Sequence, residues 1–542
     1  MRLIGGLAAA TIRAMGWTAL GDRAWLRMAD DAGMLVSGIA ARAIPGVEDV
    51  VASYDSVAVH CRDPLVAGTV LGELQAIGCI AAKAVSFASE PLHVPVGYGG
   101  EYGPDLEHAA ATLDLAPEEF VRLHSSAIYT VAAVGFSPGF PYLTGLPERL
   151  QLPRRATPRR VPAGAVAIAG TQAGIYPNAS HGGWHVIGRT GLELFDPWRG
   201  EPALLKPGDR LRFVPGGVVM PKRFRQETET DAERAIEVIE SGMMTTVQDC
   251  GRPGFQHIGV TPGGAADPVM AMVANLLVGN PPDAALLECA MHGPVLRVPA
   301  GACVAWTGWN DPSSGRPHIP TENPVIDLRG RMSAPHGYVA IAGGIDVPRV
   351  LGSRATDLRA GFGGWHGRAL RAGDRLPVAC ATMDAASGAW RVGWPTAVKP
   401  GATLELRFLP GVQAAWFDDE SLERFRCSIY RTTSMSDRAG ARLAGPELTL
   451  CETREMASQP VCAGSVQVPP DGRPIVLLGE RQTIGGYPQI GHVISADLPL
   501  LARAWPGTNL RFREVSLDEA RAAWRDMQRG IAMLQTGLQL RR

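Results

Sequence analysis

The stretch Gly164-Ala-Val-Ala-Ile-Ala-Gly170 occurs almost unchanged a second time in the chain, as Gly337-Tyr-Val-Ala-Ile-Ala-Gly343. A weaker copy begins at Gly464. Each copy is followed downstream by two glycines and an aromatic residue. The aromatic residues are Trp184, Trp365 and Tyr487. A short apolar run bounded by glycine is typical of a buried strand between turns. Its repetition predicts three related β units in series.

The units also share a closing element, in which a turn leads into a strand of alternating polar and apolar residues. It is Lys206-Pro-Gly-Asp-Arg-Leu-Arg-Phe213 in the first unit and Trp505-Pro-Gly-Thr-Asn-Leu-Arg-Phe512 in the last. A period of two is expected for a strand with one buried face. We therefore predict a mainly β fold with α/β elements, with one β-barrel in the N-terminal half and two in the C-terminal half.

The segments around the repeats predict five parts. Residues 18–92 are expected to form a small α/β cap, because strand-like stretches at 24–28 and 56–60 alternate with helix-like stretches at 32–44 and 65–77. The first barrel is predicted at 93–218, a charged linker at 219–234, the second barrel at 235–395, and the third barrel with a terminal helix at 396–542. Arg13 interrupts the apolar run of residues 1–17, so we interpret them as an extension and not as a signal peptide.

Composition excludes some classes of function. The 542 residues carry a formal net charge of -1, which gives no electrostatic reason to expect nucleic-acid or membrane-surface binding. The chain has no apolar run of the roughly 18 residues that a membrane span needs. Its nine cysteines include no Cys-x-x-Cys pair, which indicates reduced thiols in the cytoplasm. The sequence leaves the oligomeric state open.

The stretch Gly135-Phe-Ser-Pro-Gly-Phe-Pro-Tyr-Leu143 is the densest candidate for a binding loop. Its glycines and prolines fix a loop, while aromatic side chains supply flat apolar surfaces. Arginines that follow can hold a carboxylate or phosphate through their planar fork of donors. The alternative is a rigid turn with surface arginines. The candidate substrate- or ATP-binding residues here are Phe136, Phe140, Tyr142, Arg154, Arg155 and Arg159.

Gly182, Gly183 and Trp184 form a second candidate, because glycine lets a ligand approach the backbone closely. His181 and His185 flank this motif, but two histidines without a third ligand do not make a metal site. No protein-held metal is therefore predicted.

Two loops in the C-terminal half carry further candidates. The first, 246–254, precedes a predicted helix at 267–278 whose N-terminus is suited to an anion, although Asp267 has the alternative role of a simple cap. The second, 480–487, can orient a small amide or can merely close a barrel. The candidate catalytic residues are Asp249, Arg252 and Glu480, and the candidate binding residues are Gln248, Gln482, Thr483 and Tyr487.

Several common motifs are absent from the sequence. The chain has no Gly-x-x-x-x-Gly-Lys-Ser/Thr loop and no Gly-x-Ser-x-Gly elbow. It also lacks the Gly/Ser-rich nucleophile loop of amidase-signature enzymes and a Met-Lys-Met biotinylation site. Any ATP site is therefore not a P-loop, and any biotin must be carried by another protein.

The N-terminal half resembles the B subunit of bacterial 5-oxoprolinase, also called allophanate hydrolase subunit 1. The resemblance rests on Tyr98-Gly-Gly-Glu-Tyr-Gly-Pro-Asp-Leu106, on the 135–143 loop and on Gly174-Ile-Tyr-Pro177. The C-terminal half resembles the C subunit, or allophanate hydrolase subunit 2, in Ala342-Gly-Gly-Ile-Asp-Val-Pro348, in Gln467-Val-Pro-Pro470 and in the 482–487 loop. The chain is thus similar to a fusion of the B and C subunits.

This resemblance implies cyclophilin-like barrels and an ATP-dependent enzyme, with Mg²⁺, that opens the lactam of 5-oxoproline to give glutamate. It also implies a separate A subunit as partner. ATP would phosphorylate the amide oxygen, and arginines and loop N–H groups would stabilise the transferring charge. We expect catalysis in a cleft between the first barrel and the C-terminal module, because pockets prefer domain interfaces.

Two other functions follow from the same family. One is a biotin-dependent carboxyltransferase that acts on urea or a small amide, and the other is a regulator that inhibits a histidine kinase. The chain departs from the usual family pattern at Ser180-His-Gly-Gly-Trp184, at Ala457-Ser-Gln-Pro460 and at Glu480, where the C subunit usually has Asp. These departures bear on the substrate more than on the fold.

Overall fold

A computed structural model describes residues 13–14, 16–29, 31–77, 90–219, 234–320, 324–330, 332–380, 391–393, 398, 401–452 and 456–540. Most of the predicted linker at 219–234 and the predicted boundary near 395 lie outside the described residues. No helix in these ranges is both long and apolar enough to cross a membrane.

The N-terminal cap is an antiparallel sheet with two helices packed on it. Asp31 begins the first helix, because its side chain accepts a hydrogen bond from the Met34 N–H at 2.9 Å. The core of the cap contains Trp17, Trp25 and Val59. The elements are β1 (Arg13–Ala14), β2 (Trp17–Ala19), β3 (Ala24–Met28), α1 (Ala32–Arg42), β4 (Val47–Ser53), β5 (Ser56–Cys61) and α2 (Ala67–Ala76).

The first barrel closes as a ring of seven strands, in the order β7-β14-β6-β13-β10-β11-β8 with β8 paired back to β7. A single pairing between β4 and β7, Ser53 with Ala133, joins the cap sheet to it. Its elements are β6 (Leu92–Tyr98), α3 (Leu106–Thr112), α4 (Pro117–Ser126), β7 (Tyr129–Val134), β8 (Pro141–Thr144), β9 (Arg159–Val161), β10 (Ala165–Ala169), β11 (Gln172–Ile175), β12 (Ser180–Gly182), β13 (His185–Arg189) and β14 (Arg210–Pro215).

The second unit has two sheets that face one shared core, which includes Val238, Leu287 and Trp306. The sheets have the orders β21-β18-β15-β23 and β16-β17-β22-β19-β20. The elements are β15 (Ala235–Glu240), β16 (Met244–Gln248), α5 (Pro268–Leu277), β17 (Leu286–Ala290), β18 (Val295–Arg297), β19 (Val304–Thr307), β20 (Pro317–His318), β21 (Val325–Asp327), β22 (His336–Ile341) and β23 (Arg375–Pro377).

The third unit is again a closed barrel, in the order β24-β31-β28-β29-β26-β25-β32. Its elements are β24 (Thr403–Pro410), α6 (Asp419–Cys427), β25 (Ile429–Thr432), β26 (Gly440–Ala444), β27 (Gln459–Pro460), β28 (Ser465–Gln467), β29 (Ile475–Leu477), β30 (Ile484–Gly485), β31 (Gln489–Val493), α7 (Leu498–Ala502), β32 (Asn509–Glu514) and α8 (Leu517–Gln539).

The predicted fold class is confirmed, and the repeated sequences occupy equivalent places. The three copies form the buried strands β10, β22 and β28. In both closed barrels the first and last strands, β6 with β14 and β24 with β32, pair in parallel. The second unit differs, because its described strands form two sheets and not one ring.

The cap, which pairs with the first barrel, also bonds to both C-terminal units. The Asp22 carboxylate accepts hydrogen bonds from the Ser495 hydroxyl at 2.6 Å and from the Ser495 N–H at 2.9 Å. Asp49 accepts from the Gln256 N–H at 2.6 Å. These buried polar contacts fix the cap against the second and third units, and clefts form where the units meet.

Candidate active site

The first cleft lies where the cap, the second unit and the third barrel meet, and it encloses about 960 Å³. Charged and polar side chains form part of its wall. These side chains include Arg23, His60, Asp249, Gln256, Arg438, Glu480 and Arg481.

Asp249 shapes the loop that leads from β16 towards α5. Its carboxylate accepts hydrogen bonds from the Gly251 N–H at 2.7 Å, the Ser353 hydroxyl at 2.6 Å and the Arg354 N–H at 2.6 Å. Asp267 then caps α5 by accepting from the Val269 and Met270 N–H groups, as predicted. Asp249 therefore lines the cleft as an anchor of the loop, and its catalytic role stays a prediction.

Glu480 belongs to a buried cluster of one cation and two carboxylates. The Arg438 guanidinium donates to the Glu480 carboxylate at 2.6 Å, to the Glu288 carboxylate and to the Gly264 carbonyl. Burial is the largest influence on both acids. It raises the pKa of Glu480 overall, whereas the Arg438 charge holds the pKa of Glu288 below its ordinary value. A buried carboxyl of raised pKa is suited to carrying a proton.

Arg481 follows directly and lies deeper in the wall, with only 4% of its surface exposed. It donates to the Gln256 side-chain oxygen at 2.5 Å and, more weakly, to the Val461 carbonyl at 3.4 Å. Burial lowers the pKa of Arg481 to about 10, and Arg23 contributes as a neighbouring cation. In the described part of the chain it forms no ion pair with a carboxylate.

Gln248 and Arg252 lie behind the loop and not in the wall of this cleft. The Gln248 side-chain amide donates to the Thr246 hydroxyl at 3.1 Å and to the Thr356 carbonyl at 3.3 Å. Arg252 donates to the Ala355 carbonyl. Its guanidinium carbon lies 4.9 Å from the centre of the Phe362 ring. Both side chains stabilise the loop in this structure.

A second cleft, of about 1410 Å³, separates the first barrel from the third. Arg154 from one side and Tyr487 from the other line it. The predicted aromatic residues form a buried cluster in the first barrel, where Phe140 lies 4.8 Å from Tyr142 and 5.8 Å from Trp184 between ring centres. Phe136 joins the cluster 5.4 Å from Phe140.

Two of the three predicted anion-binding arginines are engaged within the first barrel. Arg155 and Arg159 both donate to the buried Asp105 carboxylate, at 2.7 and 2.5 Å. Asp105 also accepts from the Val186 N–H at 2.7 Å, so the three side chains together fix the start of α3. Arg154 is the member of this set that faces a cleft.

The 480–487 loop crosses from one cleft to the other, and its middle packs on the first barrel. Ile484 belongs to the aromatic cluster of that barrel. A methyl group added at Gly135 would lie 2.4 Å from the Ile484 Cγ1 atom and 3.1 Å from the Thr483 hydroxyl. Gln482 lies beside Gly485.

A methyl group added at Gly182 would lie 2.4 Å from the Tyr176 hydroxyl oxygen, so this glycine permits close packing. Its neighbour Gly183 has more room, with the nearest contact 3.6 Å away.

The structure therefore divides the predicted site between two clefts. Asp249 and Glu480 line the first, Arg154 and Tyr487 line the second, and the other candidates lie in the packed layer between or behind them. The candidate residues predicted from the sequence did not include Arg481, although the loop that contains it was singled out. The described residues contain no group of three His, Cys, Asp or Glu side chains placed to hold a metal ion.

Comparison with known proteins shows how the two halves are related to other chains. A carboxyltransferase-domain model for subdomains C and D matches residues 13–205, and one for subdomains A and B matches residues 258–514. The chain belongs to the carboxyltransferase-domain family. It is 38% identical to the C subunit of 5-oxoprolinase from Escherichia coli K12 over 316 residues, which cover 55% of this chain and 97% of the relative.

The N-terminal half matches a different component of the same enzyme. It is 47% identical to the B subunit of 5-oxoprolinase from Escherichia coli O157:H7 over 181 residues, covering 32% of this chain and 79% of the relative. The crystal structure of TTHA0988 matches both halves at once, with 34% identity, a TM-score of 0.79 and coverage of 91% of this chain and 99% of that one. Similarity to the urea amidolyase of Lachancea kluyveri is lower, at 29% identity over 56% of this chain and 18% of that protein.

Proposed function

We propose that this chain is the fused B–C component of an ATP-dependent 5-oxoprolinase, which opens the lactam of 5-oxoproline to glutamate in the cytoplasm together with a separate A subunit. The observation that carries the proposal is the first cleft. Arg23 and His60 from the N-terminal half, and Glu480 and Arg481 from the C-terminal half, line the same cavity. Fusion of two subunits is advantageous when both contribute to one site.

The cleft contains groups suited to opening an amide ring. ATP would transfer its terminal phosphoryl group to the lactam oxygen and leave as ADP, and water would then add to the activated carbon so that the C–N bond breaks. A second water would hydrolyse the resulting acyl phosphate to the carboxylate and free phosphate. Arg481 places a positive charge without a carboxylate partner in the wall of the cleft, where it can stabilise negative charge on a bound substrate. Glu480 can deliver a proton to the ring nitrogen as the C–N bond breaks, because burial makes its carboxyl group easier to protonate than that of an ordinary glutamate. Mg²⁺ is proposed to arrive on the nucleotide phosphates, as is usual for this ion.

The test is ADP release by the full chain with 5-oxoproline, with and without a candidate A subunit. We expect 5-oxoproline to stimulate ADP release when the A subunit is present, with glutamate formed in equal amount. If 5-oxoproline stimulates no ADP release in either mixture, the proposed function is wrong.

The similarity to urea amidolyases favours a second candidate, a biotin-dependent carboxyltransferase that acts on urea or a small amide. It requires a biotinylated carrier protein supplied in trans, because the chain has no Met-Lys-Met site. Avidin should then abolish turnover, and bicarbonate should be required. Turnover that neither avidin nor removal of bicarbonate affects would exclude this candidate.

A further inference from the structure

We infer that Arg481, supported by Arg23 and His60, forms a subsite in the first cleft that binds the carboxylate of the substrate and so selects a lactam that carries an acid group. The inference deepens the proposed function, because it assigns substrate selectivity to one wall of the proposed active site. A neutral amide such as urea has no group that would occupy this position.

The subsite is assembled from three parts of the fold. Arg23 lies just before β3 and His60 lies in β5, so both belong to the cap. Arg481 follows β29 of the third barrel, and Gln256, its hydrogen-bond partner, comes from the second unit. All four side chains line the same cavity. A ligand bound here would therefore touch both halves of the chain.

Among the described residues, Arg481 forms no ion pair, and Glu48 acts on it only as a more distant charge. Arg438 and Arg503, which are comparably buried, donate to carboxylates at 2.6 and 2.5 Å. Arg481 instead contacts a neutral amide and a carbonyl, and among the described residues no carboxylate lies within ion-pair distance of it. Burial of an unpaired charge is costly. An anionic ligand in the cleft would supply the missing partner.

Arg252 is also buried and forms no ion pair with a described residue, but it differs from Arg481 in two ways. Its guanidinium packs over the Phe362 ring, which attracts a cation, and the side chain does not line the first cleft. The same reasoning therefore assigns no ligand to Arg252.

His60 provides an independent sign of a ligand. It is 5% exposed, it lines the cleft, and its Nε2 atom has no hydrogen-bond partner in the described structure. Burial, with smaller effects from Arg481 and Arg23, lowers the pKa of His60 to about 3. The imidazole is therefore neutral at pH 7 and can exchange a hydrogen bond with the polar part of a ligand that Arg481 holds.

The arrangement fits a carboxylate better than the phosphates of a nucleotide. Arg23 already donates to Glu48 at 3.3 Å and to the Arg62 carbonyl at 2.8 Å, so most of its donors are occupied. Arg62 and Arg359 also line the cleft but are exposed to solvent, so Arg481 is the buried guanidinium of this wall that has no carboxylate partner among the described residues. One planar guanidinium matches one carboxylate in shape and charge, whereas a triphosphate needs several cations.

The experiment measures binding to the full chain by calorimetry, without relying on turnover. The ligands are 5-oxoproline, 2-pyrrolidinone (the same ring without the carboxylate), proline (the carboxylate without the lactam) and ATP. We expect wild type to bind 5-oxoproline about 10- to 100-fold more tightly than 2-pyrrolidinone, as for loss of one charge-assisted hydrogen-bond pair. Arg481→Gln should remove this preference, and Arg481→Lys should restore part of it.

Arg407→Gln is the matched control, because it removes a third-barrel guanidinium that is paired with Asp497 and does not line the cleft. It should keep the preference, and the melting temperature of each variant reports whether it is folded. An unchanged preference in folded Arg481→Gln would overturn the inference. So would loss of ATP binding alone, since Arg481 would then belong to a nucleotide site.

The outcomes also separate this inference from the proposed function. If proline binds in an Arg481-dependent way but 5-oxoproline stimulates no ADP release with the A subunit, the carboxylate subsite stands and the proposed reaction is wrong. If ADP release is normal but Arg481→Gln changes neither the affinity for 5-oxoproline nor its advantage over 2-pyrrolidinone, the reaction stands and the subsite is wrong.

Discussion

Replacing Arg438 with glutamine should destabilise the chain strongly, and in a way that depends on pH. Arg438 lies between the carboxylates of Glu288 and Glu480, and the exposed side-chain fractions of the three are 9%, 2% and 8%. Glu288 belongs to the second unit and Glu480 to the third barrel. The substitution therefore leaves two buried carboxylates without their cation at the junction of two units.

The size of the loss in stability depends on how each carboxylate responds when its cation is removed. A carboxylate that loses its cation can take up a proton, which costs about 1.4 kcal/mol for each pH unit above its ordinary pKa. For Glu288, with an ordinary pKa of 4.5, this is about 3.4 kcal/mol at pH 7 and about 0.7 kcal/mol at pH 5; the share of Glu480 is smaller, because its pKa is already raised in the wild type. Removing one partner of a buried ion pair commonly costs about 3–5 kcal/mol. We expect a loss of that size at pH 7 and a much smaller loss at pH 5.

The sign of this pH dependence is fixed by the direction of the pKa change. In the variant, both carboxyl groups have a pKa above that of the unfolded chain, so the folded state binds more protons and its stability falls as pH rises. Urea unfolding of wild type and variant at pH 5 and pH 7 measures the difference. Combining Arg438→Gln with Glu480→Gln should recover part of the loss at pH 7.

Arg329→Gln is the control, because Arg329 also contacts two carboxylates, those of Asp327 and Glu240, but at the surface. Exposed ion pairs contribute little, so this variant should unfold almost as wild type does at both pH values. If Arg438→Gln is no less stable than Arg329→Gln at pH 7, or if its deficit is the same at pH 5, the buried cluster does not hold the units together as we infer.

Three further predictions concern the contacts around the clefts. Burial raises the pKa of Asp49, but His257 outweighs it and lowers that pKa overall, while Asp49 raises the pKa of His257. The contribution of Asp49 to the stability of the fold is lost as pH falls through its lowered pKa. The contribution of His257 to that stability is lost as pH rises through its raised pKa. Asp49→Asn should therefore cost more stability at pH 6 than at pH 8.5, and an equal cost in thermal unfolding would contradict the pairing. Gly135→Ala should lower the free energy of unfolding by about 1–3 kcal/mol, because the added methyl group overlaps Ile484. The double variant with Ile484→Ala should be more stable than the sum of the two single effects predicts. Strictly additive effects in urea unfolding would argue against this contact. Glu480→Gln should reduce substrate-stimulated ADP release about 100-fold or more if Glu480 transfers a proton, and a normal rate and pH profile would exclude that role.

Much of the fold could be predicted from the sequence, because local patterns determine local structure. The repeated Gly-bounded stretch marked β10 and β22, and Asp267 marked the start of α5. The closure of the second unit could not be predicted in this way. Whether its strands form one ring or two sheets depends on pairings between distant segments, such as β15 with β23.

The candidate site was predicted less completely, for a physical reason. Residue type identified arginines that can bind anions but not those already occupied, and Arg155 and Arg159 bind Asp105, about fifty residues earlier in the chain. Arg481 was not among the candidate residues, because what distinguishes it is that no carboxylate among the described residues forms an ion pair with it. That feature exists only after the cap, the second unit and the third barrel have come together.

The central claim is that one active site is shared by the two halves of the chain. The most direct test is 5-oxoproline-stimulated ADP release, in the presence of the A subunit, by residues 1–220 alone, by residues 235–542 alone and by their mixture, each half first checked for folding by circular dichroism. The account predicts little turnover from either half and restored turnover from the mixture, because Arg23 and His60 lie in one half and Glu480 and Arg481 in the other. Full turnover from either folded half alone would place the site within one module and contradict the shared cleft.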